Sequence, residues 1–120
     1  MNRVLAFVSG AVLLGSSATA LAAGDAAAGK AKYDLFCSTC HGMTGQGDGP
    51  GGAALNPKPR NYADKEWQKT TKDADIFKVI KEGGPAVGKS PLMAAWGAAL
   101  SDADIHNVVA YIRELGKAAK

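Results

Sequence analysis

Apolar positions in this chain gather in a few short runs, and the spacing inside each run is helical. The clearest run lies near the C-terminus, where Ile105, Val108, Val109, Ile112 and Leu115 recur at intervals of three and four. That spacing lays one continuous stripe along a helix, which turns once in about 3.6 residues. Ser101 followed three residues later by Asp104 supplies a start of the capping-box kind, so a helix is predicted from there to about Leu115. A second run, "DADIFKVIKE" (Asp73–Glu82), places Ile76, Phe77, Val79 and Ile80 without strand-like alternation. Gly83-Gly84-Pro85 stops it. A third, opened by Asp25 as a cap, puts Gly29, Tyr33 and Phe36 on one face. A short helical turn is expected near Asp64–Lys69. No segment alternates as a strand does, so the fold class is all-α: three main helices joined by long loops.

Those loops limit the core. From Gly42 to Pro59 the chain holds six glycines and three prolines, which predicts a flexible run without regular structure. A chain of 120 residues is one small domain. Three modest helices make a thin core, and domains of this kind usually need a crosslink, a metal or a bound group.

The N-terminus reads as a separate segment. A basic head at Arg3, the apolar "VLAFVSGAVLL" (Val4–Leu14) and small residues ending in Ala20-Leu21-Ala22 form an export-signal pattern over residues 1–22. Ala18-Thr19-Ala20 is a second cleavage possibility. The apolar run is too short to span a bilayer comfortably. The domain proper is therefore expected to be residues 23–120, exported, most simply to a bacterial periplasm. Formal net charge is +3, with no basic block and no basic-aromatic interleaving, which argues against a nucleic-acid partner. The lysines are scattered, as on a solvated surface or a loose docking face for an acidic protein.

Both cysteines stand in "CSTCH", Cys37 to His41. A disulfide between them would close a trivial loop and stabilise little. C-x-x-C-H is instead the covalent attachment motif of c-type haem. On a helical turn, residues three apart share a side, so both thiols can add to the two vinyl groups on one porphyrin edge. His41 then offers its imidazole to the iron, and the apolar plate supplies the missing core. A structural zinc site would need four ligands, and the other histidine, His106, lies far off on the last helix. A redox dithiol would want a βαβ context, which the pattern lacks.

For a second axial ligand the chain offers three methionines and His106. Met1 leaves with the signal. Met43 follows His41 too closely to reach the opposite face of a haem. Met93 lies far downstream in an irregular loop between Pro91 and Gly97 and is the preferred candidate; His106 sits beside the apolar stripe and reads as a surface residue. One further motif, "GGPAVGKS" (Gly83–Ser90), fits the phosphate-binding pattern G-x-x-x-x-G-K-[ST] letter for letter. That pattern needs a strand before it and a helix after it. Here a helix precedes and a loop follows, so no nucleotide is expected, and its glycines are assigned to the loop leading to Met93.

Taken together, Gly29-x-x-x-Tyr33-x-x-x-Cys37-x-x-Cys40-His41, "PLMAAWG" and "LSDADIHNVVAYIREL" resemble a class I bacterial cytochrome c over nearly the whole exported chain. "CHGMTGQGDGP" with "LNPKP" is similar to a group of small periplasmic monohaem members. The resemblance implies a close crossing of first and last helices through Gly29 and Tyr33 against Val108, Tyr111 and Ile112. It implies covalent haem c on Cys37 and Cys40, with His41 and Met93 on the iron, although Ala94 stands where the family often has proline. It also implies a proline carbonyl accepting the second N–H of His41, with Pro50 and Pro57 both eligible. Arg60, Tyr62 and Trp67 are candidates for bonding the haem propionates, against solvation for Arg60 and packing for the aromatics. The implied function is single-electron transfer, without enzymatic activity, by a monomer between redox partner proteins such as a reductase and an oxidase. Contact with a membrane would come only through those partners. Two alternatives stay open: a haem subunit of a larger dehydrogenase or oxidase complex, and a five-coordinate haem sensor or peroxidase.

Overall fold

Each predicted helix forms, and α1, α3 and α5 start where a side chain satisfies free N–H groups, whereas α4 starts at Lys72 without such a cap. The structure is a computed structural model that describes residues 24–119; the segment read as an export signal, residues 1–22, lies outside the described residues. Helix α1 spans Ala26–Phe36, and the Asp25 carboxylate accepts from the N–H groups of Ala27 and Ala28 at 2.9 and 3.3 Å. After Cys37 comes a single turn, α2, Ser38–His41. Helix α3 (Lys65–Thr70) is capped by Asp64, and α4 spans Asp73–Glu82. Helix α5 runs over Asp102–Ala118, one turn beyond the end of its apolar stripe, behind a complete Ser101–Asp104 capping box. The described residues contain no strand, and the architecture is all-α.

Helices α1 and α5 make the tightest crossing. A Cβ on Gly29 would collide with the backbone carbonyl of Asn107, so only glycine allows this approach. The Asn107 side chain also accepts from the Asp25 N–H at 2.8 Å, fixing the start of α1 against α5. Tyr33 is fully buried at the crossing, its ring 5.1 Å from that of Tyr111, and its hydroxyl donates to the Gly42 carbonyl at 2.7 Å. Ile105, Val108 and Ile112 of α5 meet Ile76 and Ile80 of α4 in the same core. Burying each such side chain contributes roughly 1.5–3 kcal/mol. The crossing expected from the resemblance is the one observed.

The glycine-rich run after His41 differs from expectation, because its backbone is tied down. Gly42, Gly45 and Gly47 have φ of 82°, 75° and 77°, a region side chains avoid. The chain therefore curls back, and Gly47 and Gly49 donate to the carbonyls of His41 and Cys40 at 2.7 and 3.1 Å. Those carbonyls end α2 and have no partner within it. Here glycine supplies shape rather than freedom.

Candidate functional site

Helix α2 presents Cys37, Cys40 and His41 from one turn. Both cysteines are free thiols, and Cys37 is buried. Burial, and then the neighbouring Cys40, push the Cys37 thiol up to about 12. His41 is buried as well, and its Nδ1 lies 3.2 Å from the Arg60 carbonyl oxygen. A carbonyl can only accept, so Nδ1 carries the proton and Nε2 keeps its lone pair. Nε2 accepts from the Tyr62 hydroxyl at 3.3 Å, and the two rings stack at 4.6 Å and 14°. Burial holds the imidazole pKa below its ordinary 6.5, opposed in part by the Arg60 bond. His41 is thus neutral near pH 7, the form that binds metals.

The brace on His41 is a correction to the sequence reading. Neither Pro50 nor Pro57 supplies the carbonyl; Arg60 does. The reason lies in how the segment after Pro59 is docked. The Tyr62 N–H donates to the Gly45 carbonyl at 2.6 Å, pinning residues 60–62 onto the glycine loop and turning the Arg60 carbonyl toward the ring. The acceptor is a backbone atom, so its residue type leaves no mark in the sequence.

Met93 is held by a different construction. Its carbonyl accepts from the Gly84 N–H at 2.8 Å, and its own N–H donates to the Ser90 carbonyl at 3.1 Å. Trp96 and Gly97 donate to the carbonyls of Ile80 and Lys81 at 2.9 and 3.1 Å, bolting the loop to the end of α4. Buried Ser90 accepts the Leu92 N–H on its hydroxyl at 3.2 Å. A Cβ on Gly84 would run into the Ser90 carbonyl. The phosphate-binding look of Gly83–Ser90 has its explanation here. Helix α4 precedes it, its N–H groups at Gly84, Gly88 and Lys89 bond within the loop, and its glycines shape the seat of Met93.

The two constructions face one cavity of about 650 Å³, lined by Cys37, Cys40 and His41 together with Met93. Phe36 and Trp96, whose rings lie 5.2 Å apart, and Ile76, Val79 and Ile80 complete an apolar wall that sequence reasoning did not assign to the site. Their helical spacing carried a core signal and nothing that separates core from cavity wall. The volume sits within the roughly 300–1,000 Å³ typical of sites for small organic groups. Arg60, Tyr62 and Trp67 also line it: Arg60 is exposed at the rim, Tyr62 is buried against His41, and the Trp67 ring packs 5.1 Å from Tyr62. Met43 is 61% exposed and off the cavity. His106 is exposed and stacks on Phe77 at 4.6 Å, also off the cavity. Among the described residues, no three of His, Cys, Asp and Glu gather to hold a metal ion by themselves.

Comparison with known proteins agrees with this geometry. The Cytochrome c family model matches residues 26–116. The chain is 41% identical over 98 residues to cytochrome c-554(547) of Halothiobacillus neapolitanus, covering 78% of this chain and 99% of that one. It is 36% identical over 113 residues to cytochrome c4 of Stutzerimonas stutzeri, covering 92% of this chain and 50% of the relative. A cbb3-type cytochrome c oxidase subunit CcoP of Azospirillum sp. strain B510 is 32% identical over 95 residues, 78% of this chain and 30% of that subunit. Among solved structures, the KustC0563 c-type cytochrome superposes with a TM-score of 0.59 at 31% identity, covering 72% of this chain and 95% of that one. The chain belongs to the cytochrome c family, as a class I c-type cytochrome. It is a haem-based electron carrier whose cofactor is covalently bound haem c with its iron.

The residues present suit that group. Two free thiols and a neutral imidazole of fixed tautomer line a mostly apolar cavity of about 650 Å³, and the Met93 thioether belongs to the same lining. The Nε2 lone pair that accepts from Tyr62 is the one an iron ion would take, so that hydrogen bond and ligation exclude each other.

Proposed function

We propose that the protein is an exported, periplasmic single-electron carrier. Cys37 and Cys40 would hold the haem by thioether bonds, and His41 and Met93 would bind its iron. The observation that carries this reading is the meeting of Met93 with the distant Cys37–His41 turn on one cavity. Bound haem supplies one-electron exchange between ferric and ferrous iron.

The chain's own residues tune that exchange. Arg60 orients His41 and, by accepting its Nδ1 proton in a hydrogen bond, makes Nε2 a better donor. The Met93 thioether favours reduced iron and raises the potential relative to a second nitrogen ligand. Phe36, Ile76, Ile80 and Trp96 give the cavity an apolar wall, which would disfavour the extra positive charge of an oxidised haem. No substrate bond is made or broken, so no nucleophile or general base is assigned. Residues 1–22 are removed on export, and the partners are other redox proteins met by a monomer.

The test is the oxidised absorption spectrum of protein expressed with its own signal in a haem-maturing host. A far-red Met-to-Fe(III) charge-transfer band is expected. A wild-type spectrum without it, with ligand binding typical of five-coordinate iron, overturns the Met93 assignment and favours a sensor or peroxidase. The match to part of cbb3 oxidase subunits favours a second reading, a haem module working within an oxidase assembly. Co-purification with a membrane complex would select it.

A further inference from the structure

Both polar groups of the Tyr62 backbone are taken, each by a different part of the fold. The N–H donates to the Gly45 carbonyl at 2.6 Å, and the carbonyl accepts from the Gln68 side-chain amide at 2.8 Å. Gln68 is a hub. Its Nε2 also donates to the Ile112 carbonyl of α5 at 3.0 Å, and its Oε1 accepts from the Arg113 guanidinium at 2.9 Å. Two bonds donated and one accepted fix which way the amide points, since turned over it would set its oxygen against two carbonyls. Arg113 is itself held, donating to the Gln68 and Thr71 carbonyls at 2.8 and 2.5 Å and to the Asp73 carboxylate at 2.7 Å.

The approach of α3 to α5 leaves room for this one side chain. A Cβ on Gly116 would collide with the Gln68 amide, so a glycine in the last turn of α5 admits it. That turn lies beyond the apolar stripe, and Lys65 donates to the Gly116 carbonyl there. Gln68 is half-buried and is not part of the lining of the haem cavity. Apolar packing alone would fasten α3 to α5. What the amide adds is a bond that leaves both helices and ends on Tyr62.

We propose that Gln68 is a positioning residue for His41: it holds residues 60–62 so that the Arg60 carbonyl stays aimed at Nδ1. The inference rests on the reading of His41 as an iron ligand. Arg60 stands two residues before Tyr62, and its carbonyl oxygen lies 3.2 Å from Nδ1, at the long end of the N–H···O range. A small drift of the segment therefore loses the bond. Gly45 restrains Tyr62 from the side of the glycine loop, and Gln68 restrains it from the side of α3 and α5. The line of bonds runs from Arg113 through Gln68 to Tyr62 and, two residues back along the chain, to Arg60 and the imidazole. A firm brace strengthens donation from Nε2 and favours ferric iron, so a loosened brace raises the potential.

The test uses the isotope-labelled holoprotein and reads solvent exchange of the His41 Nδ1–H in the ferrous state by NMR, the potential, and denaturant unfolding. Gln68→Met keeps the side chain's length and removes its hydrogen bonds without a change of charge. It should speed Nδ1–H exchange about tenfold, as expected for the loss of one net hydrogen bond. At a fixed applied potential it should raise the ferrous-to-ferric ratio about threefold. Ser101→Ala is the comparison: it removes the cap at the opposite end of α5 and should lower stability while leaving exchange and potential where they were. If Gln68→Met does not mature, Gly116→Ala crowds the same amide with its chemistry intact and should move the same two readouts. Unchanged exchange and potential overturn the inference. So does an equal change in Ser101→Ala, which would reduce Gln68 to a fastening between helices. The ligand reading fails separately: ferric wild-type protein whose His41 ring protons lack large paramagnetic shifts would place His41 off the iron before any variant is compared.

Discussion

The two sides of the haem cavity are built by different means. The His41 side is local: both thiols and the imidazole belong to one turn fused to α1, and α1 is locked onto α5. The Met93 side is an irregular loop whose position depends on backbone bonds to the end of α4 and on the tight fit of Gly84 against Ser90. A ligand on a helical turn inherits the rigidity of the core. A ligand on a loop inherits only what the loop's own bonds provide, so Met93, the proposed second ligand, would be the softer attachment.

The contrast can be broken or sharpened by substitution, beginning with the largest effect. Cys37→Ala combined with Cys40→Ala should abolish covalent haem and leave the chain largely unfolded, read by acid-acetone extraction and circular dichroism. A folded, colourless double variant would mean that the helices are self-sufficient. Gly29→Val strikes the rigid side and should destabilise the protein by about 3 kcal/mol or more in denaturant unfolding, because a Cβ there meets the Asn107 carbonyl. Met93→Ala strikes the soft side. It should delete the far-red band and lower the potential by on the order of 0.1 V, part of the roughly 0.8 V over which axial ligands act, while helix content stays unchanged. Gly84→Ala should weaken the same band through the loop alone, at about 1–3 kcal/mol in stability. The smallest effect expected is with pH. The buried His41 has its pKa lowered from 6.5, so the neutral form persists down to and below that pH, and protonation competes only in more acid solution. With Nε2 held by the iron the absorption spectrum should be flat from pH 8 to 6.5; a transition centred at 6.5 would show that His41 is not held by the metal.

What the sequence revealed follows the same divide. The Cys37–His41 turn, the α5 stripe and the Gly29 crossing were legible because each lies within one helical period or is a single residue of unmistakable size. Met93 was proposed by elimination among few candidates, and the structure puts it in the lining of the same cavity as Cys37 and His41. The Arg60 brace was not, because a carbonyl oxygen belongs to every residue and only tertiary docking by Gly45 and Tyr62 aims it. The order of the glycine loop was hidden for a related reason. Glycine announces conformational freedom, while the acceptors that use up that freedom, the carbonyls at the end of α2, carry no sequence signal.

The union of α1 with α5 has a consequence in time. Asp25 and Asn107 meet across nearly the whole length of the domain, so this contact cannot form until the last helix has been made. A chain emerging from its N-terminus exposes Cys37, Cys40 and His41 while α5 is still to come. Closure then comes last: an α5 that is truncated or misplaced leaves Gly29 without the Asn107 backbone it is shaped to admit.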